Sequence, residues 1–151
     1  MKSVIKRVMT TVLMGVCFSF GLSGTPSQAQ TAVKPMVAYH FDDGQAQGLK
    51  GLRSIRNQLD TVPATKLAIV ALADGVDMFL EGATDAASGI AYAPLIADLK
   101  SRGVDVYVCE LTLMGCQLSP DQFILEADFT RSGVVKLTEL QQIDGYAYIK
   151  P

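Results

Sequence analysis

Residues 36–151 alternate between two patterns of apolar and polar positions. Three stretches are almost wholly apolar, at 36–41, 66–73 and 104–109. Such runs are typical of strands covered on both faces, as in a parallel sheet. Shorter runs at 129–130 and 146–149 predict a fourth and a fifth strand.

Between these runs, the apolar residues recur at the spacings of three and four that predict amphipathic helices. The residues that share one face of 46–60 are Leu49, Leu52, Ile55 and Leu59. A second helix is expected from Pro94, which suits a first helical turn, to Gly103, which suits a helix end. Ser132 is a suitable N-cap for a third helix. The residues expected on the apolar face of that helix are Val134, Leu137 and Leu140.

Three shorter segments, 76–80, 110–115 and 119–125, also favour helical turns. Strand and helix patterns therefore alternate at least four times. This alternation predicts an α/β fold, a three-layer α/β/α sandwich with a mainly parallel sheet of about five strands.

The first 29 residues have the three-part layout of a secretory signal peptide. Lys2, Lys6 and Arg7 form a basic start, residues 8–22 carry no charge, and a small-x-small pattern ends at Ala29. We expect cleavage after Ala29 and a periplasmic or secreted protein. The predicted organisation is a signal peptide at 1–29, a linker at 30–35 and one domain at 36–151.

Two other interpretations of this segment stay open. An uncleaved anchor would span the membrane, but the 15-residue apolar run is shorter than the roughly 18–20 residues that a spanning helix needs. A lipoprotein could be anchored through Cys17, although Val16 stands where such signals have a small residue. We favour export without a membrane span.

Charge and composition exclude several classes of function. Removal of 1–29 leaves 122 residues with 10 basic and 15 acidic side chains, a net charge of −5. An acidic chain of this kind argues against nucleic-acid binding. The mean hydropathy of +0.27 is explained by the apolar start together with strands covered on both faces.

The candidate chemistry lies where the strands end, because open α/β sheets bind ligands beyond the carboxyl ends of their strands. Four segments qualify: 40–44, 74–77, 109–116 and 131–132. Cys109 is the strongest candidate, since it ends an apolar strand and precedes a predicted helical turn. Backbone N–H groups at a helix start favour a thiolate, which is the nucleophile of disulfide exchange and persulfide transfer. The alternative is a buried structural cysteine.

The other candidates are weaker. Cys116 could pair with Cys109 in a disulfide or act as a resolving thiol, but a helix between them would hold their Cα atoms about 10 Å apart, beyond the roughly 7 Å limit of a disulfide. A metal site formed by His40, Asp42, Asp43 and the two cysteines is conceivable, but closely spaced zinc-ligand pairs are missing, and we expect no metal.

Simple capping and turn roles for Asp42 and Asp43, and for Asp74 with Asp77, are the alternative to ligand binding. The sequence contains no nucleotide-binding or serine-hydrolase motif, and we expect no cofactor.

Taken in order, three stretches and the ending of the chain resemble the DsrE/DsrF-like family, the superfamily of the TusD-type and YchN-like sulfur relay proteins. The stretches are V-A-Y-H-F-D-D-G at 37–44, D-G-V-D-M-F-L at 74–80 and G-V-D-V-Y-V-C-E-L-T-L at 103–113. The ending at 132–151 is similar to that of exported members. The likeness spans about 36–151.

The resemblance implies an α/β domain that assembles as a homo-oligomer. In the relay members, a cysteine at the end of the matching strand carries sulfur as a persulfide, and Cys109 stands at that position. The implied partners are a sulfur donor or acceptor protein or a small sulfane-sulfur compound. A non-catalytic binding module for a small ligand or protein partner, and a thiol–disulfide switch of Cys109 with Cys116, stay open as alternatives.

Overall fold

The structure, a computed structural model, describes residues 34–151. The predicted signal peptide and most of the predicted linker lie outside these residues. The strands are β1 (Met36–Asp43), β2 (Lys66–Asp74), β3 (Asp105–Cys109), β4 (Asp128–Thr130) and β5 (Ala147–Ile149). The α-helices are α1 (Gly44–Thr61), α2 (Ala93–Ser101), α3 (Glu110–Cys116) and α4 (Gly133–Gln142). Two short 3-10 helices occupy Gly75–Phe79 and Pro120–Gln122.

The five strands form one sheet in the order β4-β3-β2-β1-β5. All four neighbouring pairs are parallel, which confirms the predicted parallel sheet. The central strand β2 is buried from Leu67 to Ala71. Its continuous apolar sequence therefore reflects cover on both of its faces.

Helices lie on both faces of the sheet, which confirms the three-layer architecture. On one face, a large core joins α1, α2 and α3 to the strands through residues such as Ile55, Ile96 and Leu113. On the other face, α4 alone covers the sheet and contributes Leu137 and Leu140 to a smaller core. Side chains alternate between the two faces along β3, and Cys109 faces the smaller core, as Tyr107 does.

Two glycines of α1 let that helix lie close to its neighbours. A Cβ atom at Gly51 would stand 2.4 Å from the Phe41 ring, and one at Gly48 would stand 2.7 Å from the Tyr92 ring. Neither position has room for a methyl group. Glycine is less favourable than alanine within a helix. This loss of stability is offset here by the close packing of α1 against β1 and the segment before α2.

Two details of the predicted helices are wrong. The turn expected over 119–125 ends at Gln122, and Leu125 is 96% exposed beyond it. In α4, Val134 is exposed, because the face toward the sheet is formed by Gly133, Leu137 and Leu140. A step of one residue turns a side chain by about 100° around a helix, which carries Val134 off that face.

Among residues 34–151, no helix is both long and apolar enough to cross a membrane.

Candidate functional site

The site lies where the chain leaves two neighbouring strands toward opposite faces of the sheet. From β3 the chain enters α3, which packs on the larger core, whereas from β4 it enters α4 on the other face. In open α/β sheets, such a divergence opens a crevice at the carboxyl edge. Cys109 is the last residue of β3 and pairs in register with Thr130, the last residue of β4. The predicted nucleophile is therefore at the divergence.

The first turn of α4 approaches Cys109 because its first residue is glycine. A Cβ atom at Gly133 would lie 3.3 Å from Cys109 Cβ and 3.0 Å from Leu72 Cδ2. Ser132 caps this helix by accepting a hydrogen bond from the N–H of Val135. The backbone N–H of Gly133 is thereby brought beside the thiol.

Burial raises the pKa of the Cys109 thiol, which is 5% exposed, but hydrogen bonds outweigh burial and the pKa lies below its ordinary value. The donors are the backbone N–H groups of Gly133, Thr112 and Leu111 and the hydroxyl of Thr112. The Cys109 side chain accepts no capping hydrogen bond of ordinary geometry in α3, so each of these contacts is weak and the pKa is lowered by the set together.

Thr112 is a site residue that the sequence analysis missed. Its Oγ1 accepts a hydrogen bond of 3.1 Å from the backbone N–H of Ala73. Ala73 has a φ of 46°, in the left-handed region, which costs a residue other than glycine about 1–2 kcal/mol. The two residues are 39 positions apart in the chain, and nothing in the sequence around Thr112 indicates a contact with the end of β2. The bond is therefore visible only in the folded structure.

Exposed apolar side chains project from the two helices that meet at Cys109. They are Leu111 and Met114 on α3 and Val134 and Val135 on α4. Arg131, which follows β4, is exposed and its Nη1 lies 3.8 Å from the Met114 sulfur. We refer to these five residues as the rim.

Cys116, the last residue of α3, is exposed, and both it and Cys109 are free thiols. The seven residues of α3 separate the two positions by about 10 Å along the helix axis. A disulfide would require α3 to unwind. The structure therefore does not support the disulfide alternative.

His40 and Asp42 belong to a separate cluster at the edge formed by β1 and β5. His40 Nδ1 lies 2.7 Å from the hydroxyl of Tyr148, and Asp42 pairs with Lys150. Since β2 separates β1 from β3, strand spacing alone places this cluster roughly 10 Å from Cys109 across the sheet. The two sets of candidate residues are not brought together.

The pKa values of His40 and Asp42 are both lowered, but by different causes. The pKa of His40 is lowered chiefly by burial, and its Nε2 is buried with no hydrogen-bond partner among the described residues. The pKa of Asp42 is lowered chiefly by its hydrogen bond with Lys150. A neutral histidine and an ionised aspartate are therefore the favoured forms.

The remaining acidic candidates lie at the ends of β1 and β2. Asp43 is the N-cap of α1 and accepts a 2.8 Å hydrogen bond from the N–H of Ala46, which is the capping role considered for it. Asp74 is exposed and paired in register with Asp43. Burial, followed by the charge of Asp74, raises the pKa of Asp77. Ligand binding by Asp42, Asp43 or Asp74 stays a prediction.

Within residues 34–151, no group of three His, Cys, Asp or Glu side chains is arranged to hold a metal ion. A groove of about 170 Å³ lies between α1 and α2, on the opposite face of the sheet from the Cys109 side chain. Leu52, Leu95 and Leu99 are among its apolar lining, and its charged lining is Arg53, Arg56 and Asp98.

Comparison with known proteins identifies the family of the chain and agrees with its fold. The chain matches the DsrE/DsrF-like family over residues 28–151 and belongs to that family, which is associated with sulfur relay. No curated protein matches it.

Two solved structures share its fold. The protein of unknown function MTH1491 from Methanobacterium thermoautotrophicum is 24% identical, with a TM-score of 0.68; the match covers 78% of this chain and 100% of that chain. The ychN protein from E. coli is 16% identical, with a TM-score of 0.63, and the match covers 78% of this chain and 99% of that one.

Proposed function

We propose that this protein is an exported sulfur carrier that holds sulfane sulfur as a persulfide on Cys109. The observation that carries the proposal is the position of the thiol at the divergence of β3 and β4, where the first turn of α4 approaches it and its pKa is lowered. Membership of the DsrE/DsrF-like family supports the same chemistry.

A lowered thiol pKa serves both halves of a carrier cycle. In loading, the Cys109 thiolate attacks the outer sulfur of a donor persulfide; a new S–S bond forms, the donor S–S bond breaks, and the donor leaves as a thiolate. In unloading, an acceptor thiolate attacks the outer sulfur and Cys109 leaves with the electron pair. A thiol of low pKa is the better leaving group, and no external oxidant or reductant is needed.

The rim supports protein partners for this exchange. Leu111, Met114 and Val134 are 47%, 62% and 63% exposed, on the two helices that meet at the thiol. Exposed apolar side chains that are grouped in this way mark interaction sites. We infer that a donor or acceptor protein, or another copy of the chain in a homo-oligomer, covers the rim. A small sulfane-sulfur compound would reach the thiol without contacting the rim.

Mass spectrometry tests the proposal directly. The protein is incubated with a low-molecular-weight persulfide, and the peptides that contain Cys109 and Cys116 are examined separately. We expect a gain of about 32 Da, the mass of one sulfur atom, on Cys109 in the wild type and in Cys116→Ser. A gain on Cys116 alone, or an unmodified Cys109 peptide, would overturn the carrier function.

A second candidate function is the binding of a small ligand without covalent chemistry. The groove between α1 and α2 supports it, because its two arginines outnumber its one carboxylate, Asp98, beside an apolar floor, and this balance suits an anionic amphiphile. Binding there would be unaffected by Cys109→Ser and weakened by Arg53→Gln. Titration with a medium-chain fatty acid, with the matching alcohol as the uncharged control, distinguishes this function from the carrier.

A further inference from the structure

The last strand of the sheet, β5, has few buried contacts. Its three residues, Ala147, Tyr148 and Ile149, are all exposed. It lies at the edge of the sheet, where it pairs with β1 on one side, and the two cores are built from other elements. Elements with few buried contacts open at a lower free energy than core strands do. β5 is therefore the strand that can separate from the sheet while both cores stay folded.

Two polar contacts fasten this segment to β1. His40 Nδ1 lies 2.7 Å from the hydroxyl of Tyr148, and the centroids of the two rings are 5.8 Å apart. One residue beyond β5, the ammonium group of Lys150 donates to a carboxylate oxygen of Asp42 across 2.5 Å. Both contacts join the same two strands, so release of β5 breaks both of them.

The other ring nitrogen of His40, Nε2, is buried and has no hydrogen-bond partner among residues 34–151. The neutral ring tolerates this, because its single hydrogen can sit on Nδ1 and donate to Tyr148, which leaves a bare lone pair at Nε2. A protonated ring carries a hydrogen on both nitrogens. Its Nε2–H and part of its charge would then be buried without an acceptor, which is costly.

The neighbours of His40 decide which element moves when the ring is protonated. On this face of the sheet, β2 and α4 present apolar side chains of the smaller core, among them Val70 and Leu137. Displacement of either element would open that core. Tyr148 is 42% exposed and belongs to the three-residue edge strand. Water therefore reaches the ring at the least cost when β5 moves.

Two charged groups act on His40. Asp42 favours the protonated ring and Lys150 opposes it, but burial is the largest influence and the pKa of His40 is lowered. The hydrogen bond between Asp42 and Lys150 lowers the pKa of the carboxyl and raises the pKa of the ammonium group. Both groups therefore keep their charges between pH 7.5 and 5.0, and His40 is the member of this cluster that titrates in that range.

We propose that His40 is a pH-sensitive switch that holds β5 on the sheet through Tyr148 at neutral pH and releases it on protonation in acid. Release uncovers the edge of β1, whose unpaired backbone groups are then free to pair with another strand. Cys109 takes no part, because β2 lies between β1 and β3. The switch therefore goes beyond the carrier function and does not depend on it.

The test is hydrogen–deuterium exchange of the purified protein at pH 7.5 and 5.0, with each rate corrected for the intrinsic effect of pH on exchange. In the peptide that contains β5, the opening constant should be about three- to thirtyfold larger at pH 5.0. The upper limit follows from linkage, for a released histidine with the ordinary pKa of 6.5. At both pH values, β5 should exchange faster than β3, whose opening requires unfolding of the core.

Three variants separate the switch from other causes. His40→Gln keeps a polar side chain but takes up no proton, so the corrected rate of β5 should be the same at both pH values; His40→Asn replaces it if it does not fold. Tyr148→Phe removes the hydroxyl that faces Nδ1 and should raise the opening constant about fivefold at pH 7.5. Tyr39→Phe is the matched control, because it removes a hydroxyl on the opposite face of β1, where Tyr39 donates to Gln58. Its β5 should exchange like that of the wild type.

An unchanged corrected rate of β5 in the wild type would overturn the proposal. So would an equal rise with acid in a folded His40→Gln or His40→Asn, or a wild-type rate in Tyr148→Phe at pH 7.5. Equal exchange of β5 and β3 at pH 5.0 would also overturn it, because the whole domain would then be unfolding. Cys109→Ser should respond to pH as the wild type does, and persulfide formation on Cys109 is measured separately, so the switch and the carrier function stand or fall independently.

Discussion

Gly133→Ala is the substitution that bears most directly on how the fold activates the thiol. The new methyl group would lie 3.0 Å from Leu72 Cδ2 and 3.3 Å from Cys109 Cβ, whereas carbon atoms pack best at about 3.5–4.0 Å. The Cβ atoms of Leu72 and Cys109 are fixed by the sheet, so we expect the first turn of α4 to move away from β2 and β3 by a few tenths of an ångström. That movement carries the Gly133 N–H away from the sulfur.

The stability change can be estimated from opposing contributions. Overpacking of a filled site costs about 1–3 kcal/mol, and alanine recovers at most about 1 kcal/mol of helix propensity. We expect a net loss of about 1 kcal/mol, or a fall in Tm of about 4 °C for a domain of this size. The pKa of Cys109 should rise, because one of the donors to the thiolate is withdrawn.

Gly115→Ala is the matched control, because Gly115 lies in α3 and a Cβ there would have no heavy atom within 4 Å. It should raise the Tm and leave the reactivity of Cys109 unchanged. The assays are thermal unfolding and the pH profile of Cys109 alkylation. A Gly133→Ala variant that matched Gly115→Ala in both assays would refute the close approach of α4 to the thiol.

Three further predictions follow from other parts of the molecule. Gly51→Ala should destabilise the fold by about 1–3 kcal/mol, since its methyl would stand 2.4 Å from the Phe41 ring; a wild-type Tm would show that α1 can move away from β1 at little cost. Burial lowers the pKa of His40, so below its ordinary value of 6.5 the unfolded chain takes up a proton that the folded chain does not. Stability should be full above that pH and decline below it, and His40→Gln should remove the decline in urea titrations between pH 7 and 5. Expression in a bacterium with intact export should give a protein whose intact mass corresponds to residues 30–151, with Gln30 free or cyclised; retention of Met1 would contradict cleavage after Ala29.

Much of the fold could be predicted from the sequence, because strands covered on both faces leave an unbroken apolar run. Residues 66–73 predict β2 to within one residue of its observed end at Asp74. The edge strands are harder, since β5 is only three residues long and all three are exposed. The error at Val134 has a similar cause, because Gly133 provides the contact with the sheet and glycine adds nothing to an apolar pattern.

The candidate site could be predicted only in part. A cysteine at the end of an apolar strand is visible in the sequence, and this position, together with the backbone N–H groups expected at a helix start, indicates Cys109. The contributions of Thr112 and Gly133 were not visible, since both depend on contacts with distant elements. Ala73 was hidden for another reason, because nothing in the residue type indicates a left-handed conformation.

Loading followed by cold cyanolysis is the measurement that tests the carrier function most directly, because a carrier must release the sulfur that it accepts. The loaded protein is freed of small molecules and treated with cyanide, which attacks the outer sulfur to give thiocyanate and leaves Cys109 as a thiolate. We predict about one thiocyanate per chain for the wild type and for Cys116→Ser, and none for Cys109→Ser. Equal thiocyanate from Cys109→Ser and the wild type, or none from either, would contradict the account.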